Sequence, residues 1–255
     1  MTEMSGDDVD WRHGRAPLYV FHGSDAAHEV GRAAFMKYFS ENALGGRRAF
    51  FGLKRMEDEV VELGLDLFQA PDGAVGNMTT GGSESIFMAV KACRDWARAQ
   101  TKITEPFNIV APYSAHAAFN KAADVMDLEV RRLPTGEGYR ADVAAMAAAM
   151  DDNTIMLVGS APCFPHGVID PIQSLSDLAL ESDTWLHVDA CVGGYVAPFF
   201  QRIGRNIPDY DFALPGVRSL SADLHKFGFC PKPASNLFYR FEDDRERGLF
   251  HFDQR

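Results

Sequence analysis

Apolar and polar positions follow two periods that alternate along the chain. From Asp25 to Phe39, Val30, Ala33, Ala34 and Met36 recur at helical spacing behind Ser24, which suits an N-cap. Leu53 to Phe68 places Met56, Val60, Leu63 and Leu67 on one face and stops at Pro71-Asp72-Gly73, so it reads as a second helix. Beyond it, short apolar runs predict strands at 75–80, 107–112, 128–134, 154–162 and 185–190. Helical stretches separate them, the first opening at Ser83 with Ile86, Val90, Cys93 and Ala97 on one side, the others at 114–126, 142–150 and 172–181. Two more strands, 219–224 and 235–240, flank a loop. Strands spaced by helices predict parallel pairing through right-handed crossovers, hence an α/β fold with a mostly parallel sheet between helical layers. In open sheets of this kind ligands sit beyond the carboxyl ends of the strands.

Residues 1–50 form an N-terminal arm and helix on this reading, and residues 51–255 one large domain. In the arm, charge gives way to Trp11, Pro17, Leu18 and Tyr19, apolar anchors for wrapping a partner. Hydrophobic residues at 46% and charged residues at 24% describe a folded, soluble chain. No stretch approaches the roughly 18 apolar residues a membrane helix needs. The acidic start MTEMSGDDVDW lacks the regions of a signal peptide, so a cytoplasmic protein is expected. Cys93, Cys163, Cys191 and Cys230 form no CxxC pair, which argues against a zinc ribbon or a disulfide framework. A net charge of -11 argues against nucleic acid as a partner but not against a small phosphorylated ligand.

Candidate chemistry falls at strand ends. Gly81-Gly82-Ser83 leads from a strand into a helix, a place where free amides admit a phosphate, with Glu84 an acid in the first turn. Ser114 and His116 follow the next strand, Asp189 ends another, and His225-Lys226 follows SLSADL. A lysine amine forms a Schiff base with a carbonyl cofactor, and pyridoxal phosphate then needs a phosphate cradle and a carboxylate that keeps its ring nitrogen protonated. Gly82 and Ser83 would supply the cradle, with Ser221 or His225 closing it. His116 would lie on the ring and Asp189 would meet its nitrogen. A metal pair of His187 and Asp189, sharing a strand face, ranks below this because no metal motif accompanies it.

In that order, TTGGSESI, APYSAHAAFNKAA, FPHGVIDPI, HVDACVGGY and SLSADLHKFGF closely resemble the pyridoxal-phosphate-dependent sphingosine-1-phosphate lyases, within the group II decarboxylase superfamily. The match runs from Asn42 to Tyr239. It implies the three-layer fold of the large domain of aspartate aminotransferase, called fold type I. It makes Lys226 the cofactor lysine, Asp189 the ring-nitrogen partner and His116 the stacking residue, with Gly82, Ser83, Ser221 and His225 around the phosphate. It also implies a homodimer with shared active sites and a phosphorylated amino alcohol as the amine substrate. The substrate amine would take the place of Lys226, a base would remove the 3-hydroxyl proton, and retro-aldol cleavage would give a long-chain aldehyde and phosphoethanolamine. Amino-acid α-decarboxylation, or cofactor binding without turnover, stands as the alternative.

Three departures from the pattern stand out. NALGGRRAFF replaces the His-Pro-Asp segment expected near the substrate, Ser83 stands where threonine is usual, and the chain stops at Arg255 without the small C-terminal domain of that fold.

Overall fold

Among the described residues seven strands make one sheet, and its central strands are buried on both faces. In β2 (Asn108–Pro112), β4 (Thr154–Ser160) and β5 (Trp185–Asp189) every residue is buried, the mark of parallel strands covered on both sides. The computed structural model describes residues 8–16, 19–41, 48–100 and 105–250. The other strands are β1 (Val75–Thr79), β3 (Glu129–Leu133), β6 (Val217–Ala222) and β7 (Ser235–Tyr239). Their order is β1-β7-β6-β5-β4-β2-β3. Strand β7 alone is reversed, antiparallel to both β1 and β6. The expected alternation fails there because β6 returns through a loop with no crossover helix. Two reversals restore the direction, so β1 runs the same way as β2, β5 and β6.

Helices α3 (Gly82–Arg98) and α4 (Ala118–Val125) cover one face of the sheet. The predicted stripe Ile86, Val90, Cys93 and Ala97 is buried there with Phe119 and Trp185. The second core, on the opposite face, holds Met146 of α5 (Val143–Ala149) and Leu175 of α6 (Ile172–Ser182), with Phe68 and Phe238. Two apolar layers around one sheet give the expected three-layer α/β architecture.

Several local expectations change. The stretch 114–117 is a turn, and α4 begins only at Ala118. Gly81, not Ser83, is the N-cap of α3, and Glu84 reaches back to the Thr80 amide at 2.6 Å and the Thr80 hydroxyl at 2.7 Å. Ser24 does cap α1 (Asp25–Lys37), accepting from the Ala27 amide at 3.1 Å. No residue of α1 is buried, and Val30 is 71% exposed. Helix α2 (Phe51–Leu67) packs against β1, where Gly64 admits the Phe238 ring. Two short helices escaped the sequence pattern, α7 (Ala197–Arg202) and α8 (Glu242–Gly248). Arg218 anchors α8 through Asp244 at 2.7 Å while its guanidinium lies between Trp96 and Trp185. Of the NALGGRRAFF stretch at 42–51, residues 42–47 lie outside the described residues, as do Pro17 and Leu18 of the arm.

Candidate active site

Because β1, β2, β5 and β6 share a direction, the segments that follow them open at one end of the sheet. There they enclose a cavity of about 360 Å³. Of the predicted residues, Gly82, Ser83, His116, Asp189, His225 and Lys226 line it. Ser221 lies one layer below, fully buried in β6 beside Asp189 of β5.

The turn after β1 presents the first amides of a 17-residue helix, which have no intrahelical partners. A Cβ on Gly82 would lie 2.7 Å from the Cys191 Sγ and about 3 Å from both Asp223 carboxylate oxygens, so only glycine fits there. Opposite, His225 accepts the Ala234 amide on Nδ1 at 3.1 Å, which fixes its ring against the turn. Burial lowers the His225 pKa, against the pull of Asp223. His116 accepts the Ala118 amide on Nδ1 at 3.1 Å, and the Phe164 ring meets it edge-on at 5.5 Å. Asp189 accepts the Cys191 amide at 3.1 Å and turns toward the cavity.

Lys226 pairs with Asp223, Nζ to Oδ2 at 2.9 Å, on a side chain 1% exposed. Burial alone would lower its pKa, yet the carboxylates around it, Asp223 in contact and Asp189 beyond it, hold it above the ordinary value. Sequence reasoning passed over Asp223. Its signal was present: an acid three residues before the lysine, directly after a strand, sits where a helical turn brings the two side chains together.

Beneath the cavity runs a buried polar chain. Trp185 Nε1 donates to the Ser219 hydroxyl at 2.7 Å, and His187 sits between Ser219 at 2.8 Å and Ser221 at 3.2 Å. Cys191 donates to Ser221 at 3.3 Å. Both nitrogens of His187 are thus engaged away from the cavity, which removes the histidine from the metal-pair reading. Among the described residues no cluster of three metal-binding side chains occurs. Burial pushes His187 down to about 3 from 6.5. The unfolded chain therefore takes this proton near its ordinary value while the folded chain refuses it until about 3. Stability should fall as pH drops through that window, by up to about 4 kcal/mol from this group. Urea unfolding at pH 7 and pH 4 tests it. His187→Gln should flatten the difference, and an unchanged slope contradicts the assignment.

Fold and site together define the class: a fold type I, three-layer α/β domain with a lysine, a carboxylate and a glycine-serine turn gathered at the strand ends. A family model described as the pyridoxal-dependent decarboxylase conserved domain matches residues 53–249. The chain belongs to the pyridoxal-dependent decarboxylase family. It is 40% identical over 253 residues to a sphingosine-1-phosphate lyase of Oryza sativa subsp. japonica, covering 96% of this chain and 47% of that protein. It is 35% identical over 215 residues to a probable L-tyrosine/L-aspartate decarboxylase of Methanothermobacter thermautotrophicus, covering 84% of this chain and 57% of that one. Among solved structures, the sphingosine-1-phosphate lyase of Burkholderia pseudomallei superposes with a TM-score of 0.88 at 39% identity, covering 93% of this chain and 56% of the other. The chain thus spans about half the length of the curated lyases it matches.

The residues present fit pyridoxal phosphate. The free amides after Gly81 suit a phosphate, the close packing of Gly82 on Cys191 and Asp223 fixes the turn that presents them, and a carboxylate, an imidazole and an amine share the same cavity.

Proposed function

We propose that the whole protein is a pyridoxal-phosphate-dependent carbon-carbon lyase. It cleaves a phosphorylated amino alcohol of the sphingosine-1-phosphate type to a long-chain aldehyde and phosphoethanolamine. The observation that carries this reading is the convergence of Lys226, Asp189, His116 and the Gly82-Ser83 turn on one cavity, in a chain 40% identical to such a lyase.

When bound, the cofactor supplies an electron sink for the pair released by the broken bond. In our reading the Gly82 and Ser83 amides bind its phosphate, with His225 facing them and Ser221 supporting the floor below. His116, oriented by the Ala118 amide and by Phe164, would stack on the ring. Asp189 would keep a proton on the ring nitrogen, and Lys226 would hold the cofactor through its amine. The 3-hydroxyl proton leaves to a base within the same cavity.

Gly82→Ala should weaken cofactor affinity by about tenfold or more, because the added methyl would press on the Cys191 sulfur and the Asp223 carboxylate and push the turn's amides out of place. Fluorescence titration with pyridoxal phosphate measures it, and unchanged affinity would remove the turn from the site.

A second reading, α-decarboxylation of an amino acid, is favoured by the 35% identical Methanothermobacter relative. Incubation with a sphingoid base phosphate and with amino acids separates the two: aldehyde release supports the lyase, carbon dioxide release the decarboxylase. Cofactor binding with neither product would make the chain a scaffold.

We further propose a cytoplasmic homodimer whose subunits share the sites. Unpaired thiols in the four cysteines suit a reducing compartment, although Cys230 is exposed rather than buried. The uncovered apolar side chains of α1 suit a partner surface, with the arm from residue 2 to 21 as part of the contact. Among the described residues no helix is long and apolar enough to cross a membrane. Deleting residues 2–21 is expected to yield monomers by light scattering, and a retained dimer contradicts the arm's role.

A further inference from the structure

We infer that Asp223 is the residue that holds a proton on Lys226, and that a buried chain of hydroxyls reaching from the turn after β1 orients it for that task. The inference rests on the proposed cofactor site, and its evidence is geometric. Asp223 Oδ2 faces Lys226 Nζ at 2.9 Å. Its other oxygen, Oδ1, accepts the Ser235 hydroxyl at 2.6 Å. Ser235 Oγ lies 3.0 Å from Ser85 Oγ, and Ser85 Oγ lies 2.7 Å from Thr79 Oγ1. Ser85, Asp223 and Ser235 are each 2% exposed or less, and Thr79 is 8% exposed.

An ionised carboxylate only accepts, so Ser235 donates to Asp223. The alternative acceptor for Ser235, the Ala222 carbonyl, is farther at 3.3 Å. The Ser235 oxygen then accepts from Ser85, and Ser85 from Thr79, so all three protons point toward the carboxylate. Thr79 ends β1, immediately before the turn proposed for the phosphate, and Ser85 belongs to the first turn of α3. The chain therefore ties the phosphate turn to the lysine's counter-ion across β1, α3 and β7. Oδ1 is fixed by this chain, which leaves Oδ2 aimed at Nζ.

The chemistry needs such a partner. The substrate amine would arrive as an ammonium ion, and the protons it sheds on displacing Lys226 would pass to the lysine nitrogen, which would then pair with Asp223. After cleavage, one carbon retains the bonding pair. The proton then moves from Lys226 to that carbon: an N–H bond breaks, a C–H bond forms, and Lys226 regains the lone pair with which it reattaches. Nothing is oxidised or reduced.

Other groups face the pair from every side: Cys191 and Asp189 from the end of β5, Glu84 from α3, His116 from the loop after β2 and His225 from the loop after β6. Burial pushes the Cys191 thiol well above its ordinary value, so it stays neutral. Asp223 is the carboxylate in contact with the amine.

Competitive acetylation of the full chain without cofactor, read by peptide mass spectrometry against pH, gives the titration midpoint of Lys226. The wild-type midpoint should lie above the value of about 10.4 for free lysine. Asp223→Asn should lower it by about one unit or more, a tenfold loss of proton affinity. A wild-type midpoint at or below free lysine, or one that Asp223→Asn leaves in place, overturns the inference. Should Asp223→Asn fail to fold, the wild-type midpoint decides alone. The measurement uses no cofactor, so failure of the proposed function, seen as a missing cofactor adduct, is a separate result.

Discussion

Lys226→Ala should lower aldehyde release by at least about a thousandfold, because among the described residues no other lysine lines the cavity. The fold should survive. The loop is held by its own backbone, with the His225 amide on the Ala234 carbonyl at 3.0 Å and the Phe229 amide on the Lys226 carbonyl at 2.9 Å. The substitution does strip a buried carboxylate of its counter-ion, at a cost of about 1–3 kcal/mol. Lys226→Arg separates the two effects. A guanidinium keeps the charge beside Asp223 and so restores much of the stability, but it cannot give up its proton and should remain as inactive as the alanine variant. Steady-state product release with urea unfolding checks both. Turnover within tenfold of wild type in either variant would remove Lys226 from the chemistry.

Asp189→Asn should lower turnover by about a hundredfold or more while changing the amine's apparent affinity little. The amide oxygen can still accept the Cys191 amide that Asp189 Oδ1 accepts at 3.1 Å, so the local backbone has no reason to move. What it lacks is the negative charge that keeps a proton on the ring nitrogen, and with it the ring's pull on electrons. The effect should therefore fall on kcat rather than KM. A loss confined to KM would place Asp189 in substrate binding instead.

The buried strands were legible because parallel strands with helices on both faces read as uninterrupted apolar runs, as in Thr154–Ser160. That Lys226, Asp189, His116 and Gly82 share one cavity was legible because each ends or follows a strand, and strands of one direction bring their ends together. The reversal of β7 was not: SNLFY looks like its neighbours, and only the missing crossover helix before it betrays the direction. The sequence pattern opened α3 at Ser83, whereas the helix starts at Gly82 behind a Gly81 cap, with Glu84 closing the turn. Helices α7 and α8 are short, and α8 begins with three acids, so neither shows an apolar period long enough to register. Asp223 was hidden by its neighbours, since His-Lys draws attention while the aspartate three positions earlier passes for a turn residue. Ser221 was assigned to the phosphate from its position alone. Strand alternation sets it in the sheet beside His187, where it supports the floor.

Borohydride reduction of the full chain with pyridoxal phosphate, followed by peptide mapping, tests the central claim most directly. The account predicts a single reduced cofactor adduct on the peptide carrying His225-Lys226, located on Lys226 and absent from Lys226→Ala. An adduct on a different lysine, or none at saturating cofactor, would contradict it.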